Sequence, residues 1–365
     1  MMKNLTLYTF LLFLFYTGCM RNVPEFLDYR DTRITYLGRM TPTDTSGMEI
    51  YWSGSVVKLN FKGRSVKALL KDENGDNYFN VIIDDSVMRI LRPGKEKRYY
   101  TLTEGVNEGK HTLKLFKRNE WDRGTTRFYG FLLEKGTQAL PPDGPKKLKM
   151  EFYGNSITAA YAVEDTSGKD SPDSTFTNCY HSYAFLTAKH FNADYHLIVK
   201  SGIGVTISWF PLIMPEMYNR TNPNDPRSRW DFSKFKPDIV VVNLFQNDSW
   251  LVNMPDNAQF KARFGRKKPD NEFLIAAYAD FISALRKKHP QAKIICMLGN
   301  MDITRQGSPW PGYVRQAVAR LNDPAVFTFF VPFKNTPGHP DISEQKEMAE
   351  ALTAFIEDRF GWQAG

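Results

Sequence analysis

The sequence predicts two domains in one chain: an N-terminal all-β sandwich of jelly-roll type, then an α/β/α domain around a parallel sheet. Three observations carry this. From residue 25 to about 136, short apolar runs alternate with period two and are separated by turn residues, with no helical pattern between them. From 148 onward the apolar runs become nearly continuous and alternate with helical patterns, as in a parallel sheet covered on both faces. Between the two lies 139–147, ALPPDGPKK, whose prolines and Asp-Gly-Pro break regular structure.

Residues 1–19 read as a signal segment. Lys3 precedes an apolar run from Leu5 to Tyr16, shorter than the roughly 20 residues a membrane-spanning helix needs. The segment ends in Tyr16-Thr17-Gly18-Cys19, which resembles the lipobox of bacterial lipoproteins, in which the cysteine carries lipid. Tyr16 stands where Leu is usual. The expectation is a protein exported to the periplasm or cell surface and held at the outer membrane by lipid on Cys19; the plainer reading is a cleaved signal.

The first domain, 25–138, contains the runs VVKLNF, SVKALLK, YFNVIID, HTLKLFK and RFYGFLL. KGRS, ENGDN and VNEGK stand between them as turns. Alternation implies strands with one wet face, and several such strands without helices imply two stacked sheets. The linker, 139–147, follows. The second domain, 148–365, supplies strand-like runs KMEFY, DYHLIVK, DIVVVNLF, KIICMLG and VFTFFV. Its helical patterns are HSYAFLTAKHF, EFLIAAYADFISALRKKH, GYVRQAVARL and EQKEMAEALTAFIEDRF. Segment 205–236, rich in Pro, Asn and Arg, reads as a cleft wall or lid.

A chain of 365 residues with 42% hydrophobic and 24% charged residues fits a soluble protein with sizeable cores. The net charge of +8 is scattered in short clusters such as 146–149, 266–268 and 286–288. No nucleic-acid motif contains them, so they read as solvated faces. Beyond the signal only Cys179 and Cys296 remain; Cys296, inside KIICML, reads as a buried free thiol. No metal-ligand spacing and no Gly-rich phosphate loop appear, so no cofactor is implied.

In a parallel sheet, ligands sit beyond the carboxyl ends of the strands. The residues found there are Gly154-Asn155-Ser156, Ser201-Gly202-Ile203-Gly204, Gln246-Asn247-Asp248 and Gly338-His339-Pro340. A serine, a glycine, an asparagine and a histidine each have a part in acyl transfer. A serine hydroxyl needs a base to become a nucleophile, and histidine titrates in the right range. Backbone N–H groups and an Asn side chain supply donors for the oxyanion. Taken singly, Ser156 reads as a helix cap, Asn247 as a turn residue, Gly202 as a tight turn and His339 as a loop residue. The other histidines fall within or beside predicted strands and helices: His111, His181, His190, His196 and His289.

The four blocks, in order, resemble those of the SGNH (GDSL-type) hydrolases, which implies a flavodoxin-like α/β/α fold for the second domain of this chain. A jelly roll ahead of such a domain is similar to carbohydrate esterase family 2, acetyl esterases of plant-type polysaccharides. The resemblance covers roughly 148–360. It implies Ser156 as nucleophile and His339 as base and then acid. It implies the N–H groups of Ser156 and Gly202, with the side chain of Asn247, as oxyanion donors, and Gly204 as the alternative to Gly202. It implies no cofactor and an acetylated carbohydrate as substrate.

Three departures from the pattern stand out. Asn155 replaces the usual Asp before the serine. Phe245 replaces a Gly, where a side chain would narrow the acyl pocket or shift Asn247. Thr336 replaces the Asp three residues before the histidine, which implies a Ser–His dyad with a backbone carbonyl holding the imidazole; Asp341 and Glu344 follow the histidine on the wrong side. Trp209, Trp230 and Trp250 are candidates for stacking on sugar. The function expected is a serine esterase that hydrolyses acetyl esters on carbohydrate. The alternatives are a general lipase or acylhydrolase and a lapsed enzyme that only binds glycan.

Overall fold

The computed structural model describes residues 23–42, 47–103 and 105–365; the signal segment 1–19 and Cys19 lie outside them. The first domain is a sandwich of two antiparallel sheets of six strands each. One sheet runs Met40–Pro42, Met48–Ile50, Thr126–Leu133, Val66–Asp72, Arg98–Thr101, with Glu25–Asp28 also on Thr126–Leu133. The other runs Gln138–Ala139, Val56–Lys62, Lys110–Lys117, Phe79–Ile83, Ser86–Leu91, with Ile34–Leu37 also on Val56–Lys62.

Period-two alternation turns Val57, Leu59, Phe61, Leu113 and Leu115 of one sheet toward Val66, Ala68, Leu70, Phe128 and Leu133 of the other. Each large apolar side chain buried there contributes about 1.5–3 kcal/mol. The expected wet face is only partly wet. Val56, Ile82 and Phe116 alternate outward, yet they are buried in a second core with Phe185 and Tyr195 of the following domain. Val56, Ile82 and Phe116 are therefore a docking surface, which alternation alone does not distinguish from a solvated face.

The second domain has a five-stranded parallel sheet in the order Asp194–Val199, Lys149–Gly154, Ile239–Asn243, Lys293–Leu298, Val326–Phe330. The strands are apolar on both faces because helices cover both. Val240, Val242, Ile294 and Cys296 meet Tyr278, Ile282 and Val314 from helices Asn271–Lys288 and Trp310–Leu321. Phe152, Val241, Ile295 and Met297 meet Ala184, Met348 and Leu352 from helices Tyr183–His190 and Ile342–Phe360. Cys179 and Cys296 are both buried and free.

The chain starts near one edge of this sheet, steps outward to Asp194–Val199, and then crosses back to Ile239–Asn243. The reversal opens a crevice at the carboxyl ends of the strands. Segments after Gly154, Val199 and Asn243 all emerge there. The sandwich also reaches this end: Glu120 accepts from the Ser201 N–H, and the backbone N–H of Cys179 donates to the Arg118 carbonyl at 3.0 Å.

The two domains are further joined through a buried charge. Arg39 of the sandwich is fully buried and donates to Glu151 Oε1 at 2.8 Å. The same carboxylate meets His196 Nδ1 at 3.2 Å, His289 Nε2 at 2.9 Å and the Tyr153 hydroxyl at 2.8 Å. Burial alone would raise the Glu151 pKa, but Arg39 and the histidines outweigh it and hold the carboxyl well below its usual range. Burial lowers His196. His289, which ends the helix Asn271–Lys288, belongs to this cluster as well as to the helix terminus.

Candidate active site

Ser156 is the first residue of a single helical turn, Ser156–Ala159, directly after the strand that ends at Gly154. Asn155, the departure from the usual Asp, caps this turn: its Oδ1 accepts from the Ile157 N–H at 3.0 Å. An amide oxygen performs this task as a carboxylate would. The corner brings the Ser156 hydroxyl to 2.9 Å from His339 Nε2.

His339 sits in the loop after Val326–Phe330. Lys334 ties that loop together, donating to the Thr336 hydroxyl at 2.6 Å and to the carbonyls of Thr336 at 3.2 Å and Pro337 at 3.0 Å. Thr336 also bonds Glu344. It therefore faces Lys334 and Glu344 and leaves the imidazole alone, while Asp341 and Glu344 cap the helix Ile342–Phe360.

The partner of the imidazole is Asp170. Its Oδ2 lies 2.8 Å from His339 Nδ1, and its oxygens accept the His339 backbone N–H at 2.9 and 3.1 Å. The dyad expectation is corrected here: a carboxylate, not a backbone carbonyl, meets Nδ1. With Nδ1–H donating to the carboxylate, Nε2 is left to accept the Ser156 proton. Burial would raise Asp170, but the bonds and charge of His339 outweigh it and lower the pKa. Asp170 has φ of 53°, a left-handed conformation that Asp tolerates better than most residues. Asp165 braces the same loop, accepting the N–H groups of Ser167 at 2.9 Å and Ser171 at 2.8 Å. The only trace of Asp170 in the sequence is an acidic, turn-rich stretch after the serine block; its contact with position 339 is purely tertiary.

The residues expected to supply oxyanion donors, Gly202 and Asn247, lie on two loops. Gly202 has φ of 82°, and its N–H meets no acceptor among the described residues. Gly204 is otherwise employed: its N–H donates to Ser208 Oγ at 2.9 Å, so it does not serve as the alternative donor. A Cβ at 204 would lie 1.9 Å from the Ile207 carbonyl oxygen and 2.5 Å from Asp248 Oδ2. Buried Asp248 gathers the loop by accepting from the N–H groups of Val205, Thr206 and Ile207 and from the Thr206 hydroxyl. Burial raises its pKa against those bonds. The adjacent Asn247 side chain donates Nδ2–H to the Ile203 carbonyl at 2.8 Å and accepts from Trp209 Nε1 at 3.1 Å, leaving one N–H for a ligand.

Phe245 has φ of 80° and a fully buried ring packed on Tyr278 and Trp310, so it points into the core rather than into an acyl pocket. Of the three tryptophans, Trp209 is 45% exposed beside Asn247. Trp250 donates to Asp302 at 2.9 Å. Trp230 packs on His196 and Arg39, in the buried cluster and away from the serine. The remaining histidines have other partners: Asp84 for His111, Glu164 for His181, Glu357 for His190, and Glu151 for His196 and His289. Among the described residues, no group of three or more His, Cys, Asp or Glu side chains is placed to hold a metal ion.

Residues 36–142 match the family model of the carbohydrate esterase 2 N-terminal domain, and 152–342 match that of the GDSL-like lipase/acylhydrolase family. The chain is 35% identical over 348 residues to the cellulase/esterase CelE of Acetivibrio thermocellus, spanning 90% of this chain but only 40% of that protein. It is 24% identical to an acetylxylan esterase/glucomannan deacetylase of Cellvibrio japonicus, over 91% of this chain and 90% of the relative. Among solved structures, a family two carbohydrate esterase from Clostridium thermocellum in complex with cellohexaose superimposes with a TM-score of 0.80 at 34% identity. That match covers 90% of this chain and 99% of the other.

Proposed function

Since this chain belongs to family 2 of the carbohydrate esterases and is a carboxylic ester hydrolase, we propose that it removes acetyl groups from carbohydrate through an acetyl-Ser156 intermediate. The observation that carries this is the relay Asp170–His339–Ser156, with contacts of 2.8 and 2.9 Å.

The Ser156 oxygen attacks the acetyl carbonyl while His339 Nε2 takes its proton. Asp170 holds the tautomer and stabilises the imidazolium without itself taking the proton. The N–H groups of Ser156 and Gly202 and the free Nδ2–H of Asn247 receive the oxyanion. The imidazolium returns the proton to the departing sugar oxygen, leaving acetyl-Ser156. Water, deprotonated by His339, then repeats the attack, and acetate leaves as Ser156 recovers its proton.

Acetylated xylan and glucomannan are the first polymers to test, because the Cellvibrio japonicus relative is named for acting on them. The glycan-binding alternative rested on Asn155, Phe245 and Thr336. Asn155 caps the serine turn, Phe245 packs in the core, and Thr336 braces the histidine loop, so none of the three argues for a lapsed site. Nor does the buried Phe245 ring favour a long acyl channel, the feature a general lipase needs. Export with a lipid on Cys19 is part of the same reading and rests on the Lys3 and Leu5–Tyr16 pattern.

The test is acetate release from acetylated xylan and glucomannan by the whole mature chain. Ser156→Ala is expected to lower the rate by about 10⁴-fold or more. Undiminished release would reject Ser156 as nucleophile, and sugar binding without any release by the unmutated protein would favour the binding reading.

A further inference from the structure

Among the described residues Trp209 donates two hydrogen bonds, and each ends on a different element of the proposed oxyanion site. Its backbone N–H donates to the Gly202 carbonyl at 3.0 Å, and its indole Nε1–H donates to Asn247 Oδ1 at 3.1 Å. Its Cβ and Cδ1 also lie against Gly202, at 3.4 Å from where a Cβ on that glycine would stand. The residue bridges the second and third blocks at the point where their donors must converge.

The Asn247 amide has two possible orientations, and only one presents an N–H to an oxyanion. Asn247 is 2% exposed, so water does not correct a wrong choice. In the observed orientation Nδ2 faces the Ile203 carbonyl and Oδ1 faces the indole N–H. A flipped amide would set N–H against N–H on one side and oxygen against oxygen on the other, leaving buried polar groups unpaired. The second Nδ2 hydrogen then points away from Ile203 and is the one available to the substrate.

We propose that Trp209 is a positioning residue for ester hydrolysis: its indole N–H fixes the Asn247 amide with Nδ2 directed at the oxyanion. Because the indole is 45% exposed, it also forms part of the cleft wall. A substrate lying over it excludes water from the Trp209–Asn247 bond and strengthens that bond during the reaction. The role rests on the acyl-serine reading above and adds to it a residue that does not touch the reacting carbonyl.

The experiment removes the N–H and keeps the ring. Trp209→Phe and a protein carrying benzothienylalanine at 209, in which sulfur replaces the indole N–H, are assayed on 4-nitrophenyl acetate, a substrate with no sugar. Both are expected to lower kcat by about 10- to 100-fold, less than or equal to the loss of a whole oxyanion donor, with KM changed by less than about twofold. Combining Trp209→Phe with Asn247→Ala is expected to be no slower than Asn247→Ala alone, since both changes remove one device. A kcat at the unmutated level in either variant, or losses that multiply in the double variant, would overturn the proposal. Should Trp209→Phe not fold, the isosteric benzothienylalanine protein carries the test. Failure of the underlying reading is separately visible, as activity that persists in Ser156→Ala.

Discussion

Asp170 holds His339 at two points, accepting the imidazole Nδ1–H at 2.8 Å and the backbone N–H at 2.9 Å, across 169 residues of sequence. The carboxylate thus orients both the ring and the loop that carries it. In Asp170→Asn the amide can present an N–H to Nδ1 and favour the wrong tautomer. The expected result is a kcat lowered by about 10²- to 10⁴-fold with KM little changed. Steady-state kinetics on an acetate ester checks it. A loss below tenfold would mean that the histidine works as a dyad with the serine.

Gly204 is fixed by sterics rather than by chemistry. With its Cβ position 1.9 Å from the Ile207 carbonyl oxygen and 2.5 Å from Asp248, alanine must push the loop away from Asp248. Gly204→Ala is expected to cost about 1–3 kcal/mol of stability and to reduce kcat/KM by displacing Gly202 and Trp209. Urea denaturation and ester kinetics on the same preparation measure both.

Arg39 is the cation that offsets the Glu151 charge in the interior, at 2.8 Å. Arg39→Ala leaves that carboxylate buried with no permanent cation beside it. The expected loss is about 3–5 kcal/mol, read by chemical denaturation at neutral pH.

The same cluster makes stability depend on pH. The folded-state pKa of His196 lies below its ordinary 6.5, with burial as the cause, so the unfolded chain binds protons there first. Groups facing the ring are Glu151, Arg39 and Asp194, with Phe235 stacked on it at 3.8 Å. Its contribution is full above about pH 6.5 and declines as the pH falls toward the folded value. Glu151, held below its ordinary 4.5 despite burial, adds a further loss below that pH. Unfolding free energies measured in urea from about pH 8 down to about pH 3 should therefore fall on the acid side in two stages, and His196→Gln should flatten the first.

Much of this architecture was legible in the residues. The change from period-two alternation to continuous apolar runs marks where the antiparallel sheets end and the parallel sheet begins, because only the second is covered on both faces. Ser156, Gly202, Asn247 and His339 stand just beyond strand ends, where a parallel sheet opens its crevice, so local order was enough to suggest them. Asp170 was not legible: no spacing ties a loop aspartate to a histidine so far along the chain. The commitment of the Gly204 N–H to Ser208 was hidden for the same reason, since it depends on how residues 203–208 wrap around Asp248. Trp209 was visible as an aromatic beside the cleft, but its indole N–H bond was not. The outward residues Val56, Ile82 and Phe116 looked solvated because alternation reports which face a side chain takes and says nothing of what lies against that face.

That covered face has a consequence for how the chain can be divided. Severed within 139–147, the hydrolase half would present Phe185 and Tyr195 to water and keep Glu151 without its guanidinium. The sandwich half would bare Val56, Ile82 and Phe116 and strand Arg39. Each piece would be prone to aggregate where the other now shields it, so the two halves form an obligate pair, exchangeable between proteins only together with their shared seam.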